Sequence, residues 1–206
     1  MNLNASTKLL KFAPALSLTL CAPLAALAES PAVTGAGALS APAHLDFSVL
    51  IPRFLVFRVG TLGATIDQIA FSAPSGGVGN ASPVSGTGGD ASGGTAANVS
   101  VVGNGGQITI TEANNSAGTG LAHATLAATN ISYSEITTTS SDTVNLQRPV
   151  LSDAGGNTST PVLNSSNVTN RAATWTYAYA NSTIPSAGTY GTSAKGGRVT
   201  YTAAMP

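Results

Sequence analysis

A chain of 206 residues with 8 basic and 8 acidic side chains carries no net charge, and only 8% of its residues are charged against about a quarter in an average soluble domain. No cluster of cations exists to hold a phosphate backbone, so nucleic acid is excluded as a partner. The only cysteine, Cys21, falls in the first apolar run, which excludes thiol and disulfide chemistry from everything after it.

That run extends from Phe12 to Leu27, follows Lys8 and Lys11, and ends in Ala26-Leu27-Ala28. A basic start, an apolar middle and small residues at the exit make the layout of a secretory signal peptide. Pro14 and Pro23 interrupt it, and it is too short to span a bilayer comfortably. A lipid anchor on Cys21 is disfavoured by Leu20, which stands where a small residue is expected. Cleavage after Ala28 takes 28 residues from 206 and leaves 178, with six basic and eight acidic groups and no cysteine. That length suits one domain able to fold without disulfides. The sequence therefore divides into a signal peptide (1–28), a Pro/Gly/Ala-rich flexible leader (29–44) and one domain (45–206), exported to the periplasm, cell surface or medium.

Three of the five phenylalanines lie between 45 and 59. Phe47, Val49 and Ile51 alternate, Pro52 interrupts, and Phe54, Leu55, Val56, Phe57 and Val59 then occupy both parities. Period two predicts a strand and apolar residues on both parities predict burial on both faces, with Pro52 at a bulge or a change of sheet. Asp46 and Asp67 are the carboxylates in reach of Arg53 and Arg58. Further strands are expected at 64–71, 98–102, 106–112, 131–137, 143–147, 172–179 and 197–203. Gly103-Asn104-Gly105 between the second and third of these reads as a hairpin turn. In the segment 172–179, Trp175, Tyr177 and Tyr179 share one face, and in 197–203 Val199, Tyr201 and Ala203 do. No window after the signal peptide carries a helical period.

Two excursions separate these strands. Residues 73–98 hold eight glycines and no large apolar residue, which predicts a long mobile loop, and 152–170 is a second polar loop. The fold expected is all-β: an antiparallel, immunoglobulin-like β-sandwich of about 8–9 strands with long Gly/Ser/Asn-rich loops.

Chemistry-bearing residues are scarce. His44 lies in the leader, and His123 lies among small residues with no acid nearby, so both are expected to be exposed and inert. A Gly-x-Gly-x-x-Ala string at Gly86, Gly88 and Ala91 lacks the strand and helix that would make it a dinucleotide fingerprint. Asp90, Asp153 and Asn157 offer hard oxygens in loops without a calcium-loop spacing. No catalytic residue, cofactor site or metal site is assigned. Trp175, Tyr177 and Tyr179 are candidates for a glycan-stacking platform, weighed against a place in the core.

At the other end of the chain, Pro185, Ala187-Gly188-Thr189-Tyr190 and Val199-Thr200-Tyr201-Thr202 resemble the last two strands of exported bacterial β-sandwich proteins of the spore-coat-U-like, archaic fimbrial type. The stretch is also similar to the end of WxL-type surface proteins. It covers about thirty of 206 residues, and the chain differs from the fimbrial type in its cysteine-free mature part and its leader. The resemblance implies an exported, non-catalytic module. Phe47, Val49, Ile51, Phe54 and Phe57 then become the candidate assembly strand, which would pair with a neighbour's sheet edge. The expected function is a non-enzymatic structural, adhesive or fimbria-like surface component, with self-association or other cell-surface proteins as partners. The alternatives are a carbohydrate-binding module using Trp175 and the long loops, and a small outer-membrane β-barrel.

Overall fold

The computed structural model describes residues 32–206, so the expected signal peptide lies outside the described residues. Chain contacts divide it between Leu50 and Ile51. Residues 32–50 are exposed throughout and form no strand or helix.

The unit from Ile51 onward is all-β. Its strands in chain order are β1 (Leu55–Val59), β2 (Val84–Ser85), β3 (Ala96–Gly103), β4 (Thr109–Asn114), β5 (Leu121–Ala122), β6 (Asn130–Ile131), β7 (Ile136–Ser140), β8 (Thr158–Ser159), β9 (Thr169–Tyr179) and β10 (Val199–Ala204). Two 3-10 turns are the only helical pieces among the described residues. One sheet runs β1-β3-β9, with β2 and β7 also on β9; the second runs β10-β4-β8, and β5 pairs with β6. Every pairing is antiparallel.

The two sheets meet face to face, as in a sandwich. Val99 and Val101 of β3 and Trp175, Tyr177 and Tyr179 of β9 point inward from the first sheet, and Ile108 and Ile110 point inward beside the second. The Trp175 and Tyr201 rings pack edge-on at 5.1 Å across the gap, and the Tyr177 and Tyr201 hydroxyls are 3.2 Å apart. Trp175 is fully buried. Each such side chain removed from water contributes about 1.5–3 kcal/mol. Both sheets have end strands, so the described residues form no closed barrel.

Several expectations need correction. Residues 45–59 are not one strand buried on both faces. Pairing starts at Leu55, opposite Gly103, and Phe47, Val49 and Ile51 are 86%, 83% and 71% exposed. Phe54 is also exposed, whereas Phe57 packs partly against the core. Periodicity marks a chain able to be a strand; a partner is needed to bury it. Residues 64–71 make only the bridge of Ala70 to Thr87. In 143–147 the Asp142 side chain accepts from the Val144 and Asn145 amides at 3.3 and 2.9 Å, a local turn that takes the donors a ladder would need. The expected strand at 131–137 is split because Ser132 Oγ accepts from Ser134 N at 3.1 Å and starts a 3-10 turn.

Gly103-Asn104-Gly105 is not a hairpin turn either. β3 and β4 belong to different sheets, so these residues carry the chain from one layer to the other. Residues 73–98 are likewise more than a spacer: they contain β2 and the start of β3. Asn181 ties them down: its Nδ2 donates to Gly77 O at 2.7 Å and its Oδ1 accepts from Gly79 N at 2.8 Å. Asn181 itself sits at φ 55, a left-handed conformation that Asn tolerates better than most residues.

Candidate functional site

Two surfaces stand out, each considered on its own. The first is the segment 45–51. Leu45, Phe47, Val49 and Ile51 are at least 71% exposed, and Leu50 is 93% exposed. Asp46 and Ser48 fill the intervening positions. This is the residue pattern of a half-buried strand presented to water, where large apolar side chains gain nothing. A run of exposed apolar residues of this kind marks an interaction surface.

Its attachment point is well defined. Phe54 N donates to Asn104 Oδ1 at 2.9 Å, and Asn104 Nδ2 donates to Pro52 O at 2.9 Å. Arg53 donates to Gly105 O at 3.3 Å, so neither expected acid, Asp46 nor Asp67, serves it. Arg58 pairs with Asp90 at 3.4 Å. Asp67 instead accepts from Thr61 N at 2.6 Å beneath Gly60, which closes β1 at φ 83 where a Cβ would strike that carboxylate.

The second surface is the edge of β10, the end strand of its sheet, which has β4 on one side and no strand on the other among the described residues. Thr200, Thr202 and Ala204 face water, and Val199, Tyr201 and Ala203 turn toward the core while staying half exposed. β1, the end strand of the other sheet, presents Leu55, Phe57 and Val59 in the same half-covered way. The strands converge at one end, where Gly105 N meets Met205 Sδ at 3.2 Å and Met205 also approaches Gly103, the partner of Leu55. The core is therefore thinly covered along both end strands.

Beneath β10 the interior is polar for its depth. Glu112, opposite Tyr201 in the ladder, is fully buried; Oε1 accepts from Asn114 Nδ2 at 2.9 Å and Oε2 has no partner. Burial, with Glu112 and Asp153 adding, pushes the Tyr133 phenol up to about 12. Burial, reinforced by Tyr177 and Glu112, also raises Tyr201 well above its ordinary value.

The remaining candidates separate rather than gather. Trp175, Tyr177 and Tyr179 face the core, with Trp175 wholly covered, because the inward parity of β9 is the odd one; they form no surface platform. His123, expected to be exposed, is 5% exposed. Its Nδ1 accepts from Thr125 N at 3.1 Å and Leu126 N at 2.9 Å, and its Nε2 lies 3.1 Å from Ala187 O. Tyr190 packs on it edge-on at 4.8 Å. Both ring nitrogens are thus occupied by backbone, leaving none for proton transfer. Asp90 is held by Arg58 and Asn98, and Asp153 accepts from Tyr133 N at 2.6 Å. Among the described residues no three His, Cys, Asp or Glu side chains gather as metal ligands, and no helix is long and apolar enough to cross a membrane.

Sequence reasoning missed Asn104 and Asn181, the two amides that organise the chain around these surfaces. Asn-Gly at 104–105 carried a turn signal; nothing marked Asn181.

No family model, no curated protein and no solved structure matches this chain. The function must be argued from the two surfaces alone.

Proposed function

We propose that this is a non-enzymatic, exported β-sandwich protein that serves as a structural or adhesive component at the cell surface and associates with copies of itself. In this reading residues 45–51 of one copy add as a strand to the open edge of β10 in another. The alternation of Phe47, Val49 and Ile51, all exposed, carries the reading. An unpaired strand edge is a template for strand addition, in which the backbone supplies hydrogen bonds and alternate side chains supply specificity. Covering three such side chains contributes about 1.5–3 kcal/mol each before the cost of ordering the segment. Export rests on the basic, apolar and small-residue layout of residues 1–28 and on a surface solubilised by hydroxyls and amides rather than charges. An immunoglobulin-like lineage is part of the proposal and rests on the resemblance of residues 175–203.

Sedimentation velocity and electron microscopy of the purified protein test the association. The expected result is concentration-dependent oligomers or filaments that disappear when Phe47, Val49 and Ile51 are replaced together by serine. A species that stays monomeric at high concentration, with no filaments on cells, removes the reading. Intact mass of protein recovered from cell fractions tests export, with loss of residues 1–28 expected.

A further inference from the structure

The root of the exposed segment is built to end strand pairing abruptly. β1 and β3 pair in register from Val59 opposite Val99 to Leu55 opposite Gly103, and Asn104 N still reaches Phe54 O at 3.4 Å. Beyond that point the two chains part, and the Asn104 side chain takes the place of further backbone. Its amide accepts from Phe54 N and donates to Pro52 O, both at 2.9 Å. The next backbone donors are used elsewhere: Gly105 N meets Met205 Sδ at 3.2 Å and Gly106 N donates to Asn167 O at 3.2 Å. Pro52 has no N–H to give, its ring fixes its own φ, and it biases Ile51 toward extended backbone. The chain on the N-terminal side of the clamp is therefore disfavoured from turning sharply at Ile51.

We infer that Asn104 is a positioning residue which, with Pro52, keeps residues 45–51 from pairing within their own molecule and so reserves them for a second copy. The inference rests on the strand-addition reading above. The reason is effective concentration: a short tether gives an intramolecular segment a large advantage over any free partner, and that advantage vanishes when the tether cannot reach the site. A clamped, extended root is such a tether. Releasing it would let each molecule satisfy its own β10 edge.

Three full-length proteins test this: wild type, Asn104→Ala, and Asn104→Asp, which keeps the acceptor for Phe54 N and loses the donor to Pro52 O. Sedimentation velocity should place half-assembly of Asn104→Ala at about tenfold higher concentration than wild type, as expected for two lost hydrogen bonds, with Asn104→Asp between them. Hydrogen exchange on dilute monomers supplies the readout a purely structural residue would not move. Edge amides of Val199–Ala204 should be protected in Asn104→Ala, whose own segment covers them, and unprotected in wild type. Equal assembly of all three proteins, or edge amides equally unprotected in all three, overturns the inference. If Asn104→Ala melts too early to use, the Asn104→Asp comparison decides on the same two readouts. A synthetic peptide of residues 43–52, added to the full-length Phe47/Val49/Ile51→Ser protein, separates the two failures. Peptide binding together with unchanged assembly of the Asn104 variants sinks only the clamp, whereas absence of peptide binding sinks strand addition and the clamp together.

Discussion

The segments 45–51 and 175–179 have nearly the same pattern and opposite fates. Each alternates large apolar or aromatic residues with small or polar ones, and each satisfies the strand period. Trp175, Tyr177 and Tyr179 are enclosed because β9 pairs with β3 and β7 on its two sides and faces a second sheet. Phe47, Val49 and Ile51 have no such partners within their unit and stay in water. Alternation therefore states what a segment could bury, and the neighbours decide whether it does.

Mutations that treat the two segments alike should break the likeness. Trp175→Ala should cost about 3–5 kcal/mol in chemical denaturation, the loss typical of a large aromatic removed from a closed core. Ile110→Ala, on the facing sheet, should cost about 2–5 kcal/mol by the same measurement. Phe57→Ala, half covered on β1, should destabilise less than either and more than Phe54→Ala, whose ring is exposed; a larger loss for Phe54 would contradict the placement of the root. Phe47→Ala should leave the melting of dilute monomer within about 0.5 kcal/mol of wild type while weakening assembly measured by sedimentation.

Alkaline titration sharpens the same contrast, because tyrosines lie only on the buried side of it. The folded-state value of Tyr133 is raised from 10.0 to about 12, first by burial and then by Glu112 and Asp153. The folded state thus holds the proton more tightly than the unfolded chain. Its contribution is complete below pH 10 and is lost as pH rises toward about 12. Tyr177 and Tyr201 are shifted in the same direction by burial. Denaturation midpoints should therefore fall across that window together with the appearance of tyrosinate absorbance. Full stability retained beyond it would mean that these hydroxyls are not enclosed as described.

Much of the β framework could be read in advance. The inward parity of β9, the pairing of Ile108 with Ile110 on one face and the half-covered face of β10 all follow from period two, which the backbone geometry of a strand imposes on any sequence. The candidate segment 45–51 was legible as a strand former by the same rule. His123 was misread because a lone imidazole among alanines gives no hint that two loop amides and a distant carbonyl will close around it. The turn at 103–105 was misread because Gly and Asn specify how sharply a chain bends and not which sheet it enters next.

Residue order alone settled the all-β class, the near-absence of helix and the spacing of apolar side chains, since these depend on contacts between residues close in sequence. Tertiary structure decided which alternating segment is covered, that β3 and β4 part into separate sheets, and that Asn104 and Asn181 each fasten a distant stretch of chain. Such outcomes depend on groups up to about a hundred positions apart, as Asn181 and Gly77 are, and no local pattern carries the cost or gain of bringing those groups together.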